Sequence, residues 1–177
     1  MKVKIGKYPT HRWYHNFLYK LGIKNEPKVS VHIDDFDTWS MDHTLAYIIV
    51  PMLKQLKETK QGAPYVYLED VPSELRPTKE ELTLTGTVET DSKFFDRWDW
   101  VLDEMIFAHE SKLDDWEEQF HSGEVDRVFK DLEKGCTEWL EVPSHTFKID
   151  MKGRKAYQDR ISNGFRLFGK YYENLWY

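Results

Sequence analysis

Asp34-Asp35-Phe36-Asp37-Thr38-Trp39-Ser40-Met41-Asp42-His43-Thr44-Leu45-Ala46 is the stretch on which the fold turns. Before it, from Lys28 to Ile33, the apolar Val29, Val31 and Ile33 alternate with Ser30 and His32, the period of a half-buried strand. After it, Leu45, Ile48, Ile49, Met52, Leu53 and Leu56 follow the spacing of an amphipathic helix. Ser40 or Asp37 suits the N-cap of that helix, and Asp42 favours its first turn. Pro51 removes one backbone donor inside it, and a bend near Tyr47 is expected. Lys54, Lys57 and Lys60 complement the C-terminal end of the dipole, and the helix is expected to end before Gly62.

Outward from this stretch, Lys2-Val3-Lys4-Ile5 alternates like a short strand. Trp13, Tyr14 and Phe17 suit one face of a short helix, with Thr10 as its cap. Residues 61–93 hold Gly62, Pro64, Pro72 and Pro77 and few apolar residues. They read as an irregular, flexible excursion with a short strand at 82–88. A second long helix is predicted from Phe94 to Phe120, with Trp98, Leu102, Met105, His109, Leu113, Trp116 and Phe120 on its apolar stripe. Residues 124–132 read as a further helical piece closed by Gly135. Trp139–Val142 and His145–Asp150 read as short strands around Pro143-Ser144. A last helix is predicted from Arg154 to Leu175, burying Tyr157, Ile161, Phe165, Phe168, Tyr172 and Leu175. Gly164 and Gly169 within it mark either close backbone packing or a soft helix. The sum is an α+β fold, three principal helices packed with a small β-sheet, in a single domain over 1–177.

A chain of 177 residues is long enough for a sizeable core, and its 15% aromatic content makes ring surface a large part of whatever it buries or binds. The single cysteine, Cys136, excludes an internal disulfide and points to a reducing compartment. There is neither a long apolar run nor a signal-peptide core, so a cytoplasmic protein without a membrane partner is expected. The net charge of −6 is unevenly spread. Residues 1–28 carry seven Lys/Arg and one acid, residues 96–126 eleven acids and two bases, and residues 147–170 seven bases and two acids. Either opposite segments face each other, within the fold or across an oligomer interface, or the basic ends form an anion site.

No phosphate loop, dinucleotide fingerprint, nucleophile elbow, HExxH or zinc-binding cysteine set is present. Asp34, Asp37, Asp42, His43, Asp99, Asp103 and Glu104 are of metal-ligand type, but their spacing fits no template, and no metal or other cofactor is expected. His109 lies on an apolar stripe, where a histidine is more often a packed core residue than a ligand.

Arg97-Trp98-Asp99-Trp100-Val101-Leu102-Asp103-Glu104-Met105-Ile106 is the most unusual local sequence. With Asp37-Thr38-Trp39-Ser40-Met41-Asp42-His43-Thr44-Leu45-Ala46 and Asn163-Gly164-Phe165-Arg166-Leu167-Phe168-Gly169-Lys170-Tyr171-Tyr172, it resembles a family of tailed-bacteriophage proteins usually labelled hypothetical. The resemblance runs from about residue 28 to the C-terminus, with a looser match at Lys2-Val3-Lys4-Ile5-Gly6. It departs at Lys93-Phe94-Phe95, where relatives often carry a His pair, and at His109, where they tend to carry Phe. The family offers no established catalytic residues to carry over. What the resemblance implies is origin: a phage accessory protein acting in the host cell cytoplasm.

Three functions are open. The first is an anti-defence protein that binds and sequesters a small anionic, nucleotide-like signalling molecule without chemistry. Its expected ligand-binding residues are Arg12, Trp13, Trp39, His43, Arg97, Trp100, Arg160, Asn163 and Lys170: rings to stack, cations for phosphates, and an amide for base edges. The second is a structural or host-protein-binding phage protein whose Trp-rich segments form an interface. The third is a metal-dependent nucleotide hydrolase. A homo-oligomer is expected and nucleic acid is not expected as a partner.

Overall fold

The protein is described from a computed structural model that covers residues 2–5, 12–23, 29–81, 91–132 and 136–176. Helices and antiparallel strand pairs are mixed along the chain, an α+β architecture. In place of one small sheet, the described strands form three separate two-stranded pairs. The chain divides into two units, Met1–Leu45 and Ala46–Tyr177, which are described in turn. The predicted strand at 82–88, the Thr10 cap and the turn at Gly135 lie outside the described residues.

In the first unit, β1 (Lys2–Ile5) pairs antiparallel with β2 (Val29–His32), Val3 opposite Val31 and Ile5 opposite Val29. α1 (His15–Lys20) follows Tyr14. α2 (Asp35–Trp39) is a short helix in its own right, where the sequence suggested a turn. The Asp34 N–H donates to Asp37 Oδ2 at 2.9 Å, and Thr38 Oγ1 donates to the Asp35 carbonyl at 2.8 Å. β2 is exposed along its length and not half-buried. Alternation gives a strand an apolar face but cannot supply the layer that covers it.

α3 (Met41–Thr59) begins in the first unit and ends in the second, and it remains helical through Pro51. Its buried residues are Ala46, Val50 and Leu53. Leu45 and Met52, both on the predicted stripe, are exposed, so the covered face is turned from the one expected.

In the second unit, α4 (Phe94–Glu110) and α5 (Met151–Lys170) form the main helix pair. Asp150 caps α5 by accepting from the Gly153 N–H at 3.0 Å. Trp98, Val101, Leu102 and Met105 of α4 meet Leu167 and Tyr171, with Leu53 of α3 added. Each fully buried side chain of this kind contributes about 1.5–3 kcal/mol. Val66 and Val71 complete the cluster. The excursion is irregular, with one-turn 3-10 helices at Leu68–Asp70 and Ser73–Leu75, yet it delivers core residues. The α5 face is also rotated from expectation: Ile161, Gly164, Leu167 and Tyr171 are buried, and Tyr172 is exposed.

α4 stops at Glu110, ten residues short of the predicted end. Ser111 Oγ donates to the Ala108 carbonyl at 2.8 Å, and the Lys112 and Leu113 N–H groups bond three residues back, tightening the last turn. The aromatic period continues because Trp116 and Phe120 join a different cluster. Trp116 stacks on Tyr157 at 4.9 Å, and Phe107 and Phe120 close around the same tyrosine. β3 (His121–Ser122) pairs with β6 (Lys148–Ile149) beside it. Gly123, at φ 77°, makes the turn; a Cβ there would meet the Thr146 carbonyl oxygen at 2.2 Å. The predicted helical piece at 124–132 is instead β4 (Arg127–Leu132), paired with β5 (Cys136–Glu141) in an antiparallel ribbon. Pairing with a downstream strand overrides its local preference.

The two α5 glycines separate on substitution. A Cβ on Gly164 would lie 2.3 Å from the Glu104 carbonyl oxygen and 2.5 Å from Ala108 Cβ, whereas one on Gly169 would meet nothing within 4 Å. Gly164→Ala is expected to cost about 1–3 kcal/mol through overpacking, and Gly169→Ala to stabilise by up to ~1 kcal/mol through helix propensity. Denaturant unfolding of both variants measures this, and equal effects would be inconsistent with the packing described.

His109 is buried between the rings of Phe165 and Phe168, at 5.0 and 4.7 Å, and its Nδ1 donates to the Met105 carbonyl at 2.8 Å. Burial pushes this imidazole below its ordinary 6.5, against the smaller opposing effect of the hydrogen bond to Met105. The unfolded chain therefore takes up the proton first as pH falls. The stability contributed by neutral His109 is full above 6.5 and is lost as pH drops toward the lower folded value. His109→Phe should remove this component of the acid limb, read as the difference between the two proteins' unfolding free energies across that range.

Candidate functional site

In the second unit the expected ligand-binding cations are tied to carboxylates. Arg97 is buried, and its Nη1 and Nη2 donate to Asp91 Oδ1 and Oδ2 at 2.9 and 2.7 Å; both side chains are 1% exposed. Nη1 also reaches the Leu75 carbonyl at 3.2 Å. Arg160 grips Glu104 through Nε and Nη2 and lies 3.7 Å above the Phe107 ring. Asn163 Oδ1 accepts two bonds from Arg166, at 3.1 and 2.9 Å. Lys170 bonds Asp70 at 2.6 Å and Glu69 at 3.3 Å and covers the Tyr67 ring. Trp100 is half-buried against the hydrophobic core. These side chains serve separate contacts along α4 and α5.

Asp70 is the residue that sequence reading missed. Its carboxylate is almost fully buried and takes Arg166 at 2.7 Å, Lys170 at 2.6 Å and the Tyr171 hydroxyl at 2.7 Å. The same hydroxyl accepts from the Tyr67 N–H at 3.0 Å. Burial alone would raise the Asp70 pKa, but the bonds from Lys170, Tyr171 and Arg166 outweigh it and hold the carboxyl below its ordinary range. Burial and the bond to Asp70 push the Tyr171 hydroxyl up. The arrangement fastens the excursion to the end of α5. Its only sequence signal was an acid beside a tyrosine and a proline, with a partner 101 residues away.

The acids of α4 are similarly engaged. Lys54, Lys57 and Lys60 of α3 meet Glu110, Asp103 and Asp99, each at 2.5 Å, a ladder that runs antiparallel between the helices. Asp99 and Asp103, one turn apart and of cation-binding type, thus face lysines. Among the described residues, no group of three or more His, Cys, Asp or Glu is gathered as a metal site.

The first unit offers a different surface. None of its described residues is buried. Trp13 and Trp39 are each 87% exposed and Phe36 is 86% exposed, and Phe17, Val31, Ile33 and Met41 are exposed too. Trp13 touches Tyr14 edge-on at 5.9 Å. The Arg12 N–H donates to His15 Nδ1 at 2.7 Å. Trp39 ends α2, and half-buried His43 sits in the first turn of α3. Of the expected site residues, Arg12, Trp13, Trp39 and His43 belong to this unit, while Arg97, Trp100, Arg160, Asn163 and Lys170 belong to the other.

No family model, curated protein or solved structure matches the chain. Among the described residues no helix is long and apolar enough to cross a membrane.

The buried Arg97–Asp91 pair defines a test of the division between packing and binding residues. Arg97→Ala leaves the Asp91 carboxylate buried without its cation and is expected to cost about 3–5 kcal/mol. Trp39→Ala, at an exposed position, should change stability by about 0.5 kcal/mol or less. Chemical denaturation distinguishes the two, and a fully stable Arg97→Ala protein would contradict the structural role.

Proposed function

We propose that this chain is a phage accessory protein that works by docking on another protein through its first unit, without chemistry of its own. One observation carries the reading: the described part of Met1–Leu45 buries nothing and holds Trp13, Phe36 and Trp39 almost fully in solvent. Aromatic side chains supply large contact area at low entropic cost and dominate the centres of protein interfaces. Monomeric proteins rarely leave so much apolar surface uncovered. The second unit supports the same preference from the opposite side. Arg97, Arg160 and Lys170 are engaged with Asp91, Glu104 and Asp70, so an anionic ligand there would have to displace an intramolecular carboxylate.

The second reading is sequestration of a small anionic, nucleotide-like molecule. It is favoured by Trp13 and Trp39, two exposed rings able to stack on bases.

Native mass spectrometry of the protein, purified from cells that produce it, separates the two. The docking reading expects added mass on the scale of another protein chain. It also expects this partner to be lost in Trp13→Ser/Phe36→Ser/Trp39→Ser while the second unit keeps its melting temperature. Loss of one hot-spot contact of about 2 kcal/mol already weakens binding some thirtyfold. An added mass of a few hundred daltons, released intact on heating and reproduced by a cyclic dinucleotide or an ADP-ribose derivative, would replace docking with sequestration. A bare chain of 21.3 kDa that also fails to shift with those ligands would remove both.

A further inference from the structure

We infer that the partner of the first unit is the first unit of a second copy, related by a two-fold axis; this rests on the docking reading. The inference begins from stability. Ordering a residue costs about 1–2 kcal/mol of backbone entropy, which burial must offset. A two-stranded pair such as β1 with β2 is marginal alone in water. Helices of six and five residues are likewise too short to hold themselves. Since no described residue of the unit is buried, its order calls for a surface from outside it.

The area is sufficient. Trp13, Phe17, Tyr19, Phe36 and Trp39 are each at least 64% exposed. At about 150–250 Å² per ring they present roughly 500–800 Å². A stable interface covers about 800 Å² on each partner. The exposed valines and isoleucine of β2 and its end, Val29, Val31 and Ile33, add to this.

Charge selects the occupant. Residues 1–28 carry seven Lys/Arg and one acid, a net +6, whereas residues 29–45 carry Asp34, Asp35, Asp37 and Asp42 and no Lys or Arg, a net −4. Ion pairs formed within either half leave its net charge unchanged. An isologous contact places the same patch of both copies together, with residue i on j and j on i. Antiparallel across a two-fold, the basic half of each copy faces the acidic half of the other. A foreign partner would have to reproduce that bipolar pattern; a second copy carries it already.

The test uses the full chain and two charge variants. One is Asp35→Lys/Asp42→Lys, and the other is Arg12→Glu/Lys20→Glu. Sedimentation of the wild type at micromolar concentration should give twice 21.3 kDa. Each variant alone should dimerise about tenfold more weakly, because like charges then face each other. An equimolar mixture should recover a heterodimer of near wild-type affinity, a rescue that misfolded variants cannot give. Trp13→Ser/Trp39→Ser should weaken the wild-type dimer about thirtyfold. A dimer indifferent to the charge variants, or one not rescued by mixing, overturns the inference. A single copy bound to a different protein overturns it and leaves the docking reading standing. A monomer with no macromolecular partner removes both.

Discussion

The second unit depends on how closely α4 and α5 approach at Gly164. Without a side chain there, the backbone of α5 lies against the Glu104 carbonyl and Ala108 of α4. That contact sets the positions of both helices' remaining side chains. It places His109 between Phe165 and Phe168, and Leu167 and Tyr171 in the cluster with Trp98, Leu102 and Met105. A packed interior transmits such a constraint because its side chains have little free volume into which to relax. The glycine also explains why the covered face of α5 is offset from the one its large apolar residues suggest. The deepest position on that face is occupied by the smallest residue.

Once Tyr171 is fixed in the core, its hydroxyl must be satisfied, and this brings in the excursion. The hydroxyl donates to Asp70 and accepts from the Tyr67 N–H. Asp70, taken out of water, then needs cations, and Arg166 and Lys170 lie on the last turns of α5 to provide them. At the other end of the excursion, the buried Arg97–Asp91 pair and the Leu75 carbonyl do the same for α4. Removing any one member leaves a buried polar group unsatisfied, which costs more than the bond itself contributes. The irregular segment is thus held chiefly by polar groups, with Val66 and Val71 as its apolar contribution.

This distribution explains what could be read from the sequence. Local periodicity marked β1, β2, the starts of α3 and α4 and most of α5, since an apolar repeat is written in consecutive residues. It did not mark the end of α4, where Trp116 continues the period but belongs to the Tyr157 cluster. Nor did it mark β4, whose partner strand lies beyond a turn. Composition identified the basic C-terminal segment, and its pairing with acids within the fold, through Arg154–Glu117, Arg160–Glu104 and Arg166–Asp70, is the plainer of the two outcomes that segregation allowed. Arg97 and Arg160 carry the composition of an anion site, because an arginine that binds phosphate and one that pairs with a buried carboxylate are the same residue in a sequence. Only the distance to Asp91 or Glu104 tells them apart.

The two units consequently stand in different physical regimes. In Ala46–Tyr177, rings pack on rings and candidate cations have carboxylates, so the chemistry available to a partner there is largely spent. In Met1–Leu45 the described backbone is ordered while the rings remain in water. Burial is the only term large enough to offset the entropy of that order. An ordered segment that buries nothing of itself has its stabilising surface elsewhere. The basic first half and acidic second half of the unit then favour a contact in which each half meets its opposite, and aromatic side chains at 13, 36 and 39 give that contact its area. Charge of this kind contributes more to selecting the partner and its orientation than to affinity, while the rings contribute the affinity. The two features therefore act on different properties of one surface, and neither would suffice without the other.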